Sequence, residues 1–311
     1  MLADDSVPIT VHADARRRIR IGVSMALIAS ILLAFNSIFA KFAYQAGLDP
    51  NTFTMLRLTV AALVLWGIFL VFGRQYVRIH RRVLWSCTLM AAANTVAQLS
   101  YYWGLTRLPA GVATLLLYMY PAVVILLLRL RGEPLTRRRM VRLAVALGGV
   151  ALLIDPAGGS VQVSGVLLVA LAVMTYALYL VLGQIVIHNV DPRTVALYVI
   201  SIMAVMATVS RMVLGGSPLP ASGSGWWPVL GVALLGTVAT RLTMFTSIKY
   251  IGSSQTALIG VVEPLTAVLL ARVFLGEVMA PIQWIGGVLI VMSLLLIDTP
   301  TARPRSGPEK E

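Results

Sequence analysis

Long, nearly unbroken apolar runs alternate along this chain with short polar clusters. About 20 mostly apolar residues cross a bilayer as a helix. On that measure the pattern predicts ten spans, at 21–42, 51–73, 83–106, 109–130, 139–155, 163–186, 193–214, 226–247, 253–274 and 279–298. The fifth is the shortest, bracketed by Arg142 and Asp155, and needs Arg142 to reach the headgroups along its aliphatic stem. Turn formers mark the connections at 46–50, 156–159 and 215–220. The piece 215–225 reads as a flexible linker, and residues 1–15 and 299–311 as disordered tails. The first run follows Arg16, Arg17, Arg18 and Arg20, as in a signal peptide, but it is too long and lacks a clear cleavage site. It reads as a retained span.

Part of the pattern is written twice. Residues 99–129 and 242–272 align without a gap, placing Leu115 over Leu258, Pro121 over Pro264 and Arg129 over Arg272. Both copies then reach a Gly-Glu step, Gly132-Glu133 and Gly276-Glu277. Upstream, Asp49-Pro50 and Thr52 match Asp191-Pro192 and Thr194. The predicted organisation is a tail at 1–20, a five-helix repeat at 21–155, a second at 163–298 and a tail at 299–311. An odd number of spans per repeat makes the second copy enter the membrane from the opposite side. The expected fold is therefore an all-α integral membrane protein of ten transmembrane helices in two inverted five-helix repeats, the arrangement from which alternating access follows.

Composition removes a soluble reading. Of 311 residues, 59% are hydrophobic and only 12% charged, and the mean hydropathy is +0.88, whereas soluble domains carry roughly 25% charged residues. The net charge of +13 does not point to nucleic acid. The basic residues cluster between apolar runs, at Arg16–Arg20, Arg74–Arg82, Arg131–Arg139 and Arg303–Lys310. All four clusters fall on one side of a ten-span chain, which places both termini in the cytoplasm of a cell (inner) membrane protein. Cys87 is the single cysteine, and His12, His80 and His188 are scattered, so neither an intramolecular disulfide nor a Cys- or His-based metal site is expected. No cofactor is implied.

Several short stretches carry a family resemblance: Asn36-Ser37 with Lys41, Asp49-Pro50 with Arg57, Gly104-Leu105, Tyr120-Pro121, Val262-Glu263-Pro264, Leu275-Gly276-Glu277 and Gln283-Trp284-Ile285-Gly286. With them the chain resembles EamA-type members of the drug/metabolite transporter superfamily over about 21–298. Ala34-Phe35 stands where that family often has Trp-Gly. The resemblance implies a ten-helix fold and movement of a small metabolite, often an amino acid or related compound and often outward.

Arg241 is the leading candidate for substrate contact. It falls mid-span in the eighth helix, where a charge costs about 2.5–3.5 kcal/mol on insertion scales and so must face water or a partner. It either grips an anionic group such as a carboxylate, with bidentate geometry, or pairs internally with Glu263. Its repeat mate is Gln98, expected to face it across the pseudo-axis. Glu263 precedes Pro264 and reads either as a proton-coupling carboxylate or as a neutraliser of Arg241 and of backbone groups freed by the proline. Asn94, Gln98, Tyr102, Tyr118, Tyr176 and Tyr179 suggest an aromatic-walled cavity able to enclose apolar or cationic groups, with helix packing as the plainer alternative. Asn36 is a similar candidate, and Arg57 a candidate gate. Arg129 and Arg272 read as anchors, and Glu133 and Glu277 as local caps. The pairs Gly148-Gly149 and Gly286-Gly287 mark close packing, with spans five and ten as the faces of a possible homodimer.

The function expected is a secondary transporter working on a small-molecule substrate within the lipid bilayer, with protons as the candidate coupling ion. No phosphate-binding Gly-x-x-x-x-Gly-Lys-Ser/Thr loop occurs. A membrane enzyme acting on lipid-linked substrates would need clustered acids or histidines inside the spans, and these are too few. A non-transporting membrane subunit is the remaining alternative, against which an intramembrane arginine argues.

Overall fold

The computed structural model describes residues 9–130, 137–154, 162–187 and 190–295. Every regular element among them is helical: α1 (Ile9–Gln45), α2 (Pro50–Phe72), α3 (Arg81–Leu105), α4 (Ala110–Leu117), α5 (Tyr120–Leu130), α6 (Arg137–Ile154), α7 (Val163–Ile187), α8 (Pro192–Leu214), α9 (Gly223–Gly231), a π-helical stretch (Val232–Ala239), α10 (Thr240–Ile259), α11 (Val262–Leu275) and α12 (Pro281–Leu295), with a short 3₁₀ turn at Arg74–Val77. Many large apolar side chains point outward, among them Phe72, Trp85, Leu63, Met212 and Val273. Such a surface requires lipid around it.

Five helical stretches are both long and apolar enough to cross a bilayer: Arg17–Gln45, Pro50–Phe72, Val163–Gly183, Pro192–Leu214 and Gly223–Ile251. The other predicted spans fall short of that measure for visible reasons. α3 opens on Arg81-Arg82 and carries Asn94, Thr95, Gln98 and Ser100. The fourth span is split into eight- and eleven-residue helices. The described part of α12 spans 15 residues.

The same amino-acid logic sets both copies of the second helix. Asp49 caps α2, its carboxylate accepting from the backbone N–H of Asn51 and Thr52, with Pro50 in the first turn. Asp191 caps α8 by accepting from Arg193 N–H, with Pro192 following. Both obey the preference for Asp at the cap and Pro just inside. These repeat mates pack against each other antiparallel. Asn51 Nδ2 donates to Gly215 O (3.0 Å), Trp66 Nε1 to Ser201 Oγ (2.9 Å), and Arg193 Nη1 to Tyr76 Oη (2.5 Å). Each cap therefore lies beside the other helix's C-terminal end.

The halves interlock elsewhere too. α1 runs antiparallel to the stretch from α9 to α10, with Phe39 against Trp227 at 5.7 Å between ring centroids and Gly22 backing onto Ile251. α3 packs on α7, with Gly104 against Val169 and Met90 against Gly183. α6 packs on α12, so the glycines of spans five and ten meet each other, Gly149 against Gly286.

Three expectations are corrected. Helix α1 begins at Ile9, inside the expected tail. No proline or glycine interrupts the chain between Pro8 and Gly22, and Ala and Arg favour helix. The linker at 215–225 is tied down, Ser217 donating from N and Oγ to Asp49 Oδ1 at 2.9 and 3.1 Å. The gap expected between 247 and 253 is assigned as helix within α10. Yet Ser247 Oγ and Thr256 Oγ1 lie 2.8 Å apart, whereas a straight helix would separate nine residues by about 13 Å. The chain therefore bends sharply between Ser247 and Thr256. The first copy has the helix-breaking Pro109 at the matching place, and the second has Gly252. Glu133 and the side chains of Arg129 and Arg142 lie outside the described residues.

Candidate functional site

Two helix breaks build the centre. α4 ends at Leu117 and α5 starts at Tyr120; α10 ends at Ile259 and α11 starts at Val262. On the repeat alignment, residues 117–118 correspond to 260–261. The prolines sit just inside the following helices, Pro121 second in α5 and Pro264 third in α11. The interruption lies at Gly260-Val261, three to four residues before Pro264, and Val261 keeps near-helical dihedrals. The carbonyl that Pro264 leaves free, Gly260 O, accepts from Glu263 N–H at 3.0 Å. In the first turn of α11, Glu263 also sits where a helix favours negative charge.

Side chains then bridge the two breaks. Tyr118, the C-terminal cap of α4, places its hydroxyl beside the Glu263 carboxylate. Glu263 also lies within electrostatic reach of Tyr101, Tyr120 and Tyr176. The rings form a run: Tyr118 to Tyr120 at 5.9 Å, Tyr120 edge-on to Tyr176 at 5.1 Å, and Tyr176 stacked on Tyr179 at 5.7 Å. Behind it Tyr101 Oη meets Thr114 Oγ1 at 3.2 Å, which in turn reaches Ser37 Oγ at 3.5 Å.

Arg241 follows the π-helical stretch. There the hydroxyl of Thr240 donates five residues back, to Leu235 O (2.8 Å). Such widened turns re-aim side chains and recur at functional sites. Arg241 lies within electrostatic reach of Tyr176, and both keep part of their surface accessible, as do Tyr120, Tyr179 and Glu263. Among the described residues no ion pair joins Arg241 to Glu263.

The remaining candidates divide. Gln98 spends its side-chain carbonyl on the Arg57 guanidinium. Arg57 is 4% exposed and lies 4.9 Å over the ring of Tyr102, itself 3% exposed. These three form a packed unit rather than a cavity wall, and sequence reading missed the pair. Asn36 Oδ1 and Asn94 Oδ1 are buried without a hydrogen-bond partner. Asn36 sits against Gly236 of the π-helical stretch, where a side chain would collide with it. Lys41 donates to Leu108 O at 2.7 Å. Glu277 caps α4 across the halves, accepting from Ala110 N (2.7 Å) and Gly111 N (3.1 Å). Among the described residues no cluster of three or more His, Cys, Asp or Glu is placed to hold a metal ion.

The description of the EamA-like transporter family matches this chain twice, over residues 20–155 and 163–299. The chain is 27% identical over 305 residues to the uncharacterized transporter YcbK of Bacillus subtilis, covering 91% of this chain and 96% of that one. It is 24% identical to an uncharacterized transporter of Archaeoglobus fulgidus, covering 90% and 97%. It is 27% identical to a probable terminal-alkyne amino-acid exporter of Streptantibioticus cattleyicolor, covering 90% and 95%. A solved crystal structure superposes with a TM-score of 0.63 at 20% identity, covering 88% of this chain and 95% of the other, which speaks for a shared fold.

Proposed function

The chain belongs to the EamA-like transporter family, and from that membership we propose that it carries a small metabolite of amino-acid type outward across the cell membrane by alternating access. It is a transporter and not an enzyme. The observation that carries the mechanistic part is the meeting of two repeat-matched helix breaks through Tyr118 and Glu263. Broken helices place polar groups at mid-bilayer, between halves that rock against each other. The antiparallel packing of the repeat mates α2 and α8 supports ten spans in two inverted five-helix halves. The arginine clusters support cytoplasmic termini. The amino-acid class and the outward direction draw on the relative named as a probable amino-acid exporter.

Arg241 contacts the substrate, and Tyr118, Tyr120, Tyr176 and Tyr179 wall the site. Energy comes from a gradient of the substrate or of a coupled ion. The test is flux in proteoliposomes loaded with a mixture of labelled amino acids. The wild type releases at least one of them above empty vesicles, and Arg241→Ala stops that release while keeping its elution profile and melting temperature. Absence of release across the whole mixture overturns the amino-acid reading. Release undiminished in Arg241→Ala removes that residue from the site.

A further inference from the structure

We propose that the turn joining α2 to α3 is a docking surface for an anionic phospholipid: its arginines hold the phosphate of the headgroup, and apolar side chains of the two helices line the acyl chains. The surface lies away from the centre of the bundle and does not depend on which solute is carried.

The turn follows directly on a helix of membrane-crossing length, Pro50–Phe72, which sets it at the level of the headgroups. Arg74, Arg78, Arg81 and Arg82 are all exposed there. The surrounding chain offers them no anion. No Asp or Glu occurs between Asp49 and Glu133, and α3 opens with no acidic residue in its first turn and no side-chain cap. On the neighbouring α8, the Asp191 carboxylate is taken up by the N–H of Arg193 at 2.8 Å. The guanidinium groups of Arg78, Arg81 and Arg82 have no hydrogen-bond or ion-pair partner among the described residues. Other arginines are committed: Arg193 donates to Tyr76 Oη, and Arg211 to Thr52 Oγ1.

The bias of basic residues towards one side of a membrane accounts for the sign of such a turn. It does not ask the turn to be ordered, and this one is built. Tyr76 N–H donates to Gly73 O at 2.8 Å, and Arg74 Nε to Leu70 O at 3.0 Å. The second half of the chain then clamps it. Arg193 lays its guanidinium 4.9 Å from the centroid of the Tyr76 ring while donating to its hydroxyl, and Tyr198 Oη donates to Val77 O at 2.7 Å. The free arginines thus stand on a fixed backbone, which lowers the ordering cost of binding.

Apolar surface continues from the charges into the bilayer. Arg82, Trp85 and Leu89 fall on one face of α3, with Trp85 67% and Leu89 61% exposed, and Phe72 at the end of α2 is 86% exposed. A free phosphate uses only the arginines. A phospholipid meets both parts at once, its phosphate on a guanidinium fork and its chains along the apolar stripe. An arginine near an anionic membrane surface contributes about five-fold to binding.

The test follows Trp85 fluorescence in purified full-length protein in mixed micelles, read as the difference between wild type and Trp85→Phe. Phosphatidylglycerol with brominated acyl chains should half-quench Trp85 at a mole fraction at least about ten-fold lower than brominated phosphatidylcholine. The triple variant Arg78→Gln, Arg81→Gln, Arg82→Gln should bring the two lipids to within about two-fold. Removing three equally exposed charges elsewhere, at Arg17, Arg18 and Arg20, should keep the preference. Glycerol phosphate, the free headgroup anion, should not relieve the quenching. Equal quenching by both lipids in the wild type overturns the proposal. So does a preference lost equally in both triple variants, which reports net charge alone, and so does displacement by glycerol phosphate, which marks a site for a soluble anion. Should the first triple variant fold poorly, the lipid comparison and the glycerol phosphate competition on the native arginines decide without it.

Discussion

The side-chain carbonyl of Gln98 accepts from the guanidinium of Arg57, although 41 residues separate them in the chain. The contact joins α2 to α3 beneath the ring of Tyr102. Arg57 is 4% exposed and its Nε already lacks a partner. Deleting the carbonyl leaves a buried cation poorly met, and hydrogen bonds to charged groups contribute about 1.5–3 kcal/mol. Gln98→Leu should therefore lower stability by about 2 kcal/mol. Replacing both partners, as in Arg57→Met with Gln98→Leu, should recover much of that loss, because no charge is then stranded. Denaturant unfolding in detergent checks the order of the single and double variants. A double variant less stable than Gln98→Leu alone would show that Arg57 stabilises through something other than this pair.

Asp49 ties a helix cap to a connection. Its carboxylate accepts from Asn51, Thr52 and Ser217. Burial pushes its carboxyl up, but the hydrogen bonds from Thr52 and Ser217 outweigh burial, so its pKa lies below the usual 3.8. A folded-state pKa below the unfolded one adds stability that is present above the unfolded value and is lost as pH falls through the folded value. The stability advantage of the wild type over Asp49→Asn should hold from neutral pH down to about pH 4 and shrink below it. Asn caps helices nearly as well, so this comparison isolates the charge, whereas Asp49→Ala should cost about 1–2 kcal/mol at any pH above that window. Melting curves between neutral and acid pH supply the check.

The parts of this architecture legible in the sequence are those written locally. The Asp-Pro caps of α2 and α8, the chain breaks beside Pro121 and Pro264 and the depth of Arg241 and Glu263 can all be read from adjacent residues. What was hidden depends on distance or on backbone register. Nothing near Gln98 announces Arg57, because their meeting is decided by how α2 packs on α3. Nothing in Val232–Ala239, an ordinary apolar run, announces a π-helical register. Repeat symmetry also misled. Arg241 and Gln98 are mates by alignment, yet Gln98 is committed to Arg57, because a repeat can preserve its fold while its polar positions diverge.

Two neighbouring glycines in α6 make a matched pair of tests. A side chain at Gly149 would stand 2.7 Å from Gly286 O and 3.1 Å from Ile290 N, both backbone atoms of α12. At Gly148 it would meet nothing within 4 Å. Without a hydrophobic drive between helices in lipid, close backbone approach supplies the packing. Gly149→Ala should cost about 1–3 kcal/mol by forcing α6 from α12. Gly148→Ala should be neutral or slightly stabilising, since alanine is the better helix former. Equal melting temperatures for the two variants would mean that the α6–α12 contact contributes little to folding.

Glu277 stands in the second half of the chain, yet its carboxylate holds the first two backbone N–H groups of α4, in the first half, at 2.7 and 3.1 Å. Charge-assisted bonds at a helix N-terminus are strong for their number, since they meet orphan donors and the positive end of the helix at once. Lys41 donates to Leu108 O just before that helix and is electrostatically coupled to Glu277. The three elements form a clasp at one end of α4, whose other end carries Tyr118. If the halves rock, the clasp must open when that face opens. Glu277→Ala should therefore favour the opposite arrangement and shorten the time Ser37, 2% exposed here, stays shielded. In a Cys87→Ser background, Ser37→Cys should react with a water-soluble maleimide several-fold faster when Glu277→Ala is added, and Glu277→Gln should fall between. An unchanged rate would mean that the clasp is a static cap which moves with both halves.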